Sequence, residues 1–457
     1  MKLLFVENRY TTQVFERVAT GLREQGHAVA WLVQNHRFAP RGWPQVHRLP
    51  YPGSADLQPL EAASRFAALS RIDRGIRYFG GTAEHYGHYA RHIAAVLDTV
   101  APDVVFGEST QFHELITVAL CRDRGIPFLH PAATRLPHGR ITFLVGDTLE
   151  TCLGSGELMP DAEAQDIVAA VADRRYVAFT NAAVSQPAVN AMANRLSWAG
   201  DKLVVLSGWL QGERYVTPAP WNKHRLERRR QAALVAIDTL AAPASLDLAT
   251  LGPYVLYPMQ MQPETNIDVW GAPHHDQARI IADAATSLAA SGHRLVVKLN
   301  PTAKYELLEP GLLQAMALPN VTVAPRAMAM APLFRSASAL LSVTGSVIYE
   351  CIFASKPVYV LGRHALSRLP GVTPLDAAGQ LGAALLQPAL GDLDGKANAV
   401  STIKDVVSSS YAGYWFDPLT MQQFDTAQNI AALTQAFADQ LAGLARQGQR
   451  HDVAVAA

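Results

Sequence analysis

At 457 residues the chain is too long for one ordinary hydrophobic core, so more than one domain is expected, with two the starting expectation. Lysine plus arginine and aspartate plus glutamate both total 39, a balance that offers no electrostatic footprint for collecting phosphates and speaks against a nucleic-acid partner. Hydrophobic residues make up 49% and no segment is of low complexity, which excludes a disordered chain.

The opening reads as a βαβ unit: a strand at Leu3 to Val6, a helix carrying Val14, Phe15, Val18, Ala19 and Leu22 at helical spacing, a stop at Gly26, and a strand at Ala28 to Val33. The first apolar run meets Glu7, Asn8 and Arg9 at once, too soon for a signal peptide, and no stretch has the length of a membrane span. Cys121, Cys152 and Cys351 are isolated and read as small hydrophobes of a reducing compartment, not as a disulfide frame or a metal site. A cytoplasmic protein is expected. Its basic run, Lys223 to Arg230, reads first as a solvated helix face, with peripheral contact at the inner membrane as the alternative.

Prolines 40, 44, 50, 52 and 59 mark a long connection, after which a helix is expected over Tyr86 to Val100. A buried strand at Asp103 to Phe106 ends in Gly107 and Glu108; a helix over Gln111 to Asp123 and a strand at Ile126 to Leu129 follow. Alternating strands and helices imply a doubly wound parallel sheet, whose ligands gather outside the carboxyl ends of the strands. Glu7 and Glu108 both fall just past such ends.

Between Pro160 and Pro253 helices are expected near Asp161 to Ala172 and Val184 to Ser197, with a strand-like Lys202 to Ser207, and the crossover between domains is placed here. Regular alternation resumes with strands at Tyr254 to Tyr257, Arg294 to Leu299, Val321 to Val323, Ala339 to Val343 and Pro357 to Leu361. Helices over Ala278 to Ala290, Met330 to Ser336 and Ser346 to Ala354 lie among them, and a last helix spans Thr426 to Leu444. The expected domains are 1–240, 241–425 and a C-terminal helical segment 426–457 that packs back on the first.

Three segments of the second half carry polar chemistry. Thr344, Gly345 and Ser346 end a buried strand and open a helix, so free N–H groups, two hydroxyls and the positive end of the helix dipole suit an anion, with Glu350 one turn on as a ribose acceptor. A helix cap with a structural glutamate is the alternative. Lys298 precedes Asn300 and Pro301 at another strand end, and Gln262, Pro263 and Glu264 follow a third.

These segments, with Lys356-Pro357-Val358, resemble the capsule-synthesis family of bacterial glycosyltransferases, and most of all its β-Kdo transferases of capsule and lipopolysaccharide assembly. The resemblance runs from Tyr254 to Gly362; the first half fits in layout only, through Gly107-Glu108 and Arg135. It implies an α/β GT-B fold, two Rossmann-like domains facing a central cleft with a C-terminal helix crossing back, and a CMP-activated keto sugar acid as donor. It also implies a donor site bordered by Gln262, Pro263, Glu264, Asn300 and Pro301. Asn300 stands where the family has histidine; it hydrogen-bonds but carries no charge, which leaves a different donor sugar open.

The expected reaction passes a sugar to a saccharide or glycolipid acceptor, with no cofactor beyond the CMP-sugar co-substrate. Lys298 and the turn at Ser346 would stabilise the leaving phosphate without a metal. Asp392-Leu393-Asp394, the Asp-x-Asp pair that suits magnesium, reads as a solvated turn between two glycines. For the carboxylate that acts as base or nucleophile, Glu108 is first, Glu7 second and Asp147 third. The resemblance favours retention through a covalent adduct. Arg9, Arg135 and Arg140 offer forks for a sugar carboxylate, while His138 and His113 read first as surface or packing histidines, with proton transfer near neutral pH as the alternative. Two other functions fit the same architecture: a UDP-sugar epimerase, and a non-catalytic glycan- or nucleotide-binding protein working with polysaccharide assembly proteins.

Overall fold

The computed structural model describes residues 1–173, 203, 206–243, 246–387 and 395–455. The expected helix at Val184 to Ser197 and the Asp392–Asp394 pair lie outside these residues, and the described part of Lys202 to Ser207 is helical rather than extended. The chain forms two compact units. Within the described residues one comprises Met1–Met159, Ala178–Lys223 and Lys404–Ala457, the other Pro160–Val177 and His224–Ile403.

The first unit is built on β1 (Lys2–Val6), β2 (Ala28–Val33), β3 (Val46–Arg48), β4 (Val104–Phe106), β5 (Phe128–Ala133), β6 (Arg140–Val145) and β13 (Tyr411–Ala412). Their order is β13-β6-β5-β4-β1-β2-β3; β6 runs antiparallel to both its neighbours and the other pairs are parallel. Leu3 to Val6 are fully buried, as expected of a central strand covered on both faces. On one face Phe5 stacks on Phe106 and packs edge-on to Phe15 of the helix Thr12–Glu24. The last helix, Ala427–Val455, closes that face and puts Phe437 at 4.8 Å from Phe106. It crosses the helix Thr12–Glu24 at Gly21, where a Cβ would stand 2.6 Å from the Thr434 methyl, so only glycine permits this approach.

The second unit has six parallel strands: β7 (Tyr254–Pro258), β8 (Arg294–Lys298), β9 (Val321–Val323), β10 (Ala339–Ser342), β11 (Val358–Leu361) and β12 (Val372–Leu375), in the order β12-β11-β10-β7-β8-β9. Its core joins β7, β8 and β10 to the helix Gln277–Leu288, whose Ile280, Ile281, Ala284, Ala285 and Leu288 are buried. Asp276 caps that helix by accepting the Arg279 N–H at 3.0 Å.

Both units are thus Rossmann-like. Apart from Lys202 to Ser207, the expected strands form, but β5 starts at Phe128 rather than Ile126 and runs on to Ala133 because β6 pairs with it back to Ile141. The edge strands β3, β12 and β13 carried no periodicity long enough to read. Residues 404–425 pack with the first unit rather than with 241–425, since β13 pairs with β6 and Trp415 and Phe416 enter the first core. Pro160–Val177 belongs with the second unit, where the helix Asp161–Ala172 meets the helix Val347–Phe353.

Candidate active site

A doubly wound sheet opens a crevice where the connections from two neighbouring parallel strands leave in opposite directions. In the first unit that point lies between β1 and β4, so Glu7-Asn8-Arg9 and Glu108-Ser109-Thr110 emerge side by side. The Asn8 amide ties them: its Nδ2 donates to Glu108 Oε2 at 3.1 Å, to Thr110 Oγ1 at 2.8 Å and to Glu114 Oε1 at 3.0 Å. Glu114, fully buried, accepts the backbone N–H groups of Glu108, Thr110 and Gln111 and so folds the β4 loop around one carboxyl.

Glu108 is partly exposed in this crevice. Burial raises its pKa from 4.5 to about 7, helped by Asp417 and opposed by hydrogen bonds from Trp415 and Thr11 and by Arg74. A carboxyl poised there passes readily between acid and base near neutral pH. Glu7 is also raised, to about 7, by burial. Its surroundings differ: it is fully buried, and its oxygens accept the Arg9 N–H at 2.6 Å and the Asn35 N–H at 2.8 Å. Glu7 therefore holds the turn at the end of β1, where Arg9 has φ 41°, a left-handed conformation that a non-glycine residue adopts only when held. Expected as a catalytic group, it is a clasp here because no face of it meets solvent.

Arg9 Nη2 donates to Val216 O at 2.8 Å and Thr217 Oγ1 at 3.1 Å. Arg74 lies near it: burial pulls the Arg74 pKa down to about 10, Arg9 adds to the fall, and Asp73, Glu114 and Glu213 oppose it. Two guanidinium groups thus border the crevice. His113, its pKa lowered by burial to about 4, donates to Glu7 O at 2.8 Å and is a buried neutral strut. His130, lowered by burial to about 3, accepts the Ser109 N–H at 3.1 Å.

Asp147 is displaced from this site by topology. Because β6 is antiparallel to β5, it ends at Val145 opposite Leu129, near the start of β5, and the turn beyond it carries Asp147 toward the amino ends of the strands, where it pairs with Arg122. Arg140, at the other end of β6, is committed to Glu157, to Ser410 Oγ and O, and to Val407 O, so it clamps the 407–410 turn instead of offering a free fork. Arg135 and His138 are half-buried in the β5–β6 turn, on the same edge of the sheet as Glu108.

In the second unit the corresponding crevice lies between β7 and β10. Gln260 spans it: Nε2 donates to Thr344 Oγ1 at 3.0 Å, and Oε1 accepts the Thr344 N–H at 3.3 Å. The Thr344 hydroxyl in turn donates to Asn266 O. Gly345 and Ser346 are half-buried beside it. Ser346 already has helical dihedrals and makes no side-chain cap bond, and the helix it opens, Val347–Phe353, has only seven residues, so the dipole expected there is short. Glu350 is half-buried on that helix.

The other expected donor residues hold the loops themselves. Gln262 is fully buried and bonded to Asp268 Oδ1, His275 O and the Gln277 amide, and its N–H donates to Glu306. Pro263 follows it through a cis peptide bond. Glu264 accepts the Asn266 amide at 2.8 Å and stays half-buried at the loop surface. Lys298 Nζ donates to Pro325 O at 2.9 Å and Arg326 O at 2.8 Å, and burial and Arg326 lower its pKa. It pins the loop after β9, so the free phosphate-binding ammonium expected of it is largely spent. Asn300 Oδ1 accepts the Thr302 N–H at 2.9 Å in a tight turn beside exposed Pro301.

Asn8, Arg74, Glu114 and Gln260 are site residues that the sequence reading does not single out. Only Glu114 left a mark in sequence, as the acidic third residue of a capping box opened by Gln111. Among the described residues no group of three or more His, Cys, Asp or Glu side chains could hold a metal ion, and no helix is long and apolar enough to cross a membrane.

No protein-family model and no curated protein matches the chain. Solved structures align over most of its length at low identity. UDP-GlcNAc 2-epimerase from Methanocaldococcus jannaschii aligns at 13% identity over 89% of this chain and 98% of its own, with a TM-score of 0.27. CalG4, the calicheamicin glycosyltransferase, aligns at 14% over 89% and 94%, with a TM-score of 0.26. UDP-N-acetylglucosamine 2-epimerase from Rickettsia bellii aligns at 11% over 97% and 96%, with a TM-score of 0.27. Scores of this size decide neither activity nor substrate.

The raised carboxyls have a consequence for stability. A carboxyl whose pKa is higher folded than unfolded favours the fold most below its unfolded value and loses that contribution as pH climbs to the folded value. Buried neutral His85, His113 and His130, all lowered, have the opposite dependence, losing stability as pH falls below 6.5. The Glu7 contribution is therefore isolated as a difference. Between pH 4.5 and about 7 the Glu7→Gln variant gains stability relative to the wild type as pH rises, measured as urea midpoints. A difference that stays flat or runs the other way contradicts the assignment.

Proposed function

We propose that this protein is a nucleotide-sugar-dependent glycosyltransferase, in which Glu108 is the catalytic carboxylate. The observation that carries the reading is Glu108 itself: a partly exposed carboxyl at the switch point of a Rossmann-like sheet, with its pKa near 7 and Arg9 and Arg74 close by. As a base, Glu108 takes the proton of an acceptor hydroxyl while the acceptor oxygen bonds to the anomeric carbon. The bond from that carbon to the phosphate oxygen breaks, and the nucleotide leaves with the electron pair. As a nucleophile, a Glu108 oxygen would bond to the anomeric carbon while the bond to the phosphate oxygen breaks and the nucleotide leaves with the electron pair; the acceptor oxygen would then bond to that carbon, displacing the Glu108 carboxylate and giving up its proton.

The donor is proposed to bind at the second sheet's crevice, where half-buried Gly345, Ser346 and Glu350 lie beside the buried Gln260–Thr344 pair and Glu264 lies at the loop surface. A CMP-activated keto sugar acid is the preferred donor, on the sequence resemblance, with Arg74, the arginine that acts on Glu108, as the guanidinium for its carboxylate. The test is a calorimetric titration with CMP, UDP and GDP, followed by assay of CMP release from a CMP-sugar. Binding of CMP, with release that depends on a saccharide acceptor, is expected. UDP binding with acceptor-free epimerisation of a UDP-sugar would replace this reading with an epimerase, and binding without any turnover would make the chain a carrier or scaffold.

A further inference from the structure

The loop from the end of β2 to β3 makes a concavity of about 490 Å³ in the first unit, lined by Arg37, Arg41, Arg48, His36 and Trp43 among others, with no carboxylate in its lining. That volume suits a small molecule. Three arginines of one sign stand out in a chain whose charges sum to zero. Among the described residues none of the three forms an ion pair, and all are exposed. Single-signed concave surfaces concentrate the opposite charge, and guanidinium forks match phosphate oxygens in pairs.

The loop is also fixed in advance. Asn35 Oδ1 accepts the Arg37 N–H at 3.2 Å, and His36 donates its N–H to the Tyr51 hydroxyl at 3.0 Å while its ring stacks on Tyr51. Glu16, outside the lining, accepts the Arg41 N–H and the Trp43 indole N–H, both at 3.2 Å, so its carboxylate holds the loop. Arg23 covers the Trp43 ring at 4.4 Å from its centroid. The strand that feeds the loop ends beside Glu7, which accepts the Asn35 N–H.

We propose that this concavity is a binding site for a phosphate-bearing ligand, either a soluble phosphorylated saccharide or the phosphorylated headgroup of a lipid. Arg37, Arg41 and Arg48 supply the charge, and the rigid loop supplies the geometry. The site goes beyond the transfer reaction and stands without it.

Calorimetry of the full chain with inorganic pyrophosphate tests the soluble source, and co-sedimentation with phosphatidylglycerol-containing vesicles tests the lipid source. The expected result is saturable binding in at least one arm that weakens by about tenfold or more in Arg41→Ala/Arg48→Ala. The arm that binds identifies the source. Because both side chains are exposed, the melting temperature should hold; if it falls, the charge reversal Arg41→Glu takes the place of the double variant. Absence of binding in both arms, or binding that these substitutions leave unchanged, overturns the proposal. Pyrophosphate binding lost in the variant, with no nucleotide sugar turned over by the wild type, would sink the transferase reading and leave this site intact. Turnover with arginine-independent binding would do the reverse.

Discussion

Replacing Glu108 by glutamine lowers kcat/KM for sugar transfer by about 10²- to 10⁴-fold, the range a positioned acid–base group supplies. Glutamine keeps the shape and an acceptor oxygen for the Asn8 amide, which now reaches Glu108 at 3.1 Å, so the crevice stays folded and the loss reports on the ionisable oxygen. A base with its pKa near 7 must be deprotonated to act, so the wild-type rate rises with pH through about 7. That limb disappears in the variant. The measurement is nucleotide release against pH, between about pH 5 and 9. Full activity in Glu108→Gln, or the same limb in both proteins, removes Glu108 from the chemistry.

The Glu114→Ala substitution has its largest effect on stability. One carboxyl accepts three backbone N–H groups, those of Glu108 at 3.0 Å, Thr110 at 3.1 Å and Gln111 at 2.9 Å, as well as the Asn8 amide and the Thr110 hydroxyl. Burial and the neighbouring Glu108 raise its pKa well above the ordinary range, so the site tolerates it only because these donors are satisfied by it. Alanine leaves several buried donors without an acceptor, and the expected loss is about 3 to 5 kcal/mol. Glutamine retains one acceptor oxygen and should cost less. Urea unfolding monitored by circular dichroism gives both values; a loss below about 1 kcal/mol for alanine would show that the β4 loop does not depend on this carboxyl.

The raised carboxyls, the arginine-lined loop and the nucleotide titration probe different parts of the molecule, and their outcomes are separable. The Glu7 difference in stability needs no substrate. The arginine site needs only an anion. Donor class is decided by which nucleotide binds.

The sequence by itself determined the two α/β halves and the strand ends that matter. Runs such as Leu3 to Val6 and Val104 to Phe106 are buried on both faces, and a continuous apolar run bounded by polar residues marks such strands without tertiary information. Glu7 and Glu108 were therefore placeable beside a crevice, and so was Thr344. What each side chain does there was decided only by tertiary structure, because a polar group's role depends on which partners the fold brings to it. Glu7 and Glu108 look alike in sequence, yet backbone N–H groups from two loops enclose the first, while the second is left partly exposed. Lys298 reads as a phosphate ligand until Pro325 and Arg326 carbonyls arrive on its ammonium from the end of a neighbouring strand. Asp147 lost its place because β6 reverses direction, which moves its end to the opposite edge of the sheet. Strand direction and long-range hydrogen bonds join residues far apart in the chain, and local periodicity carries no record of either.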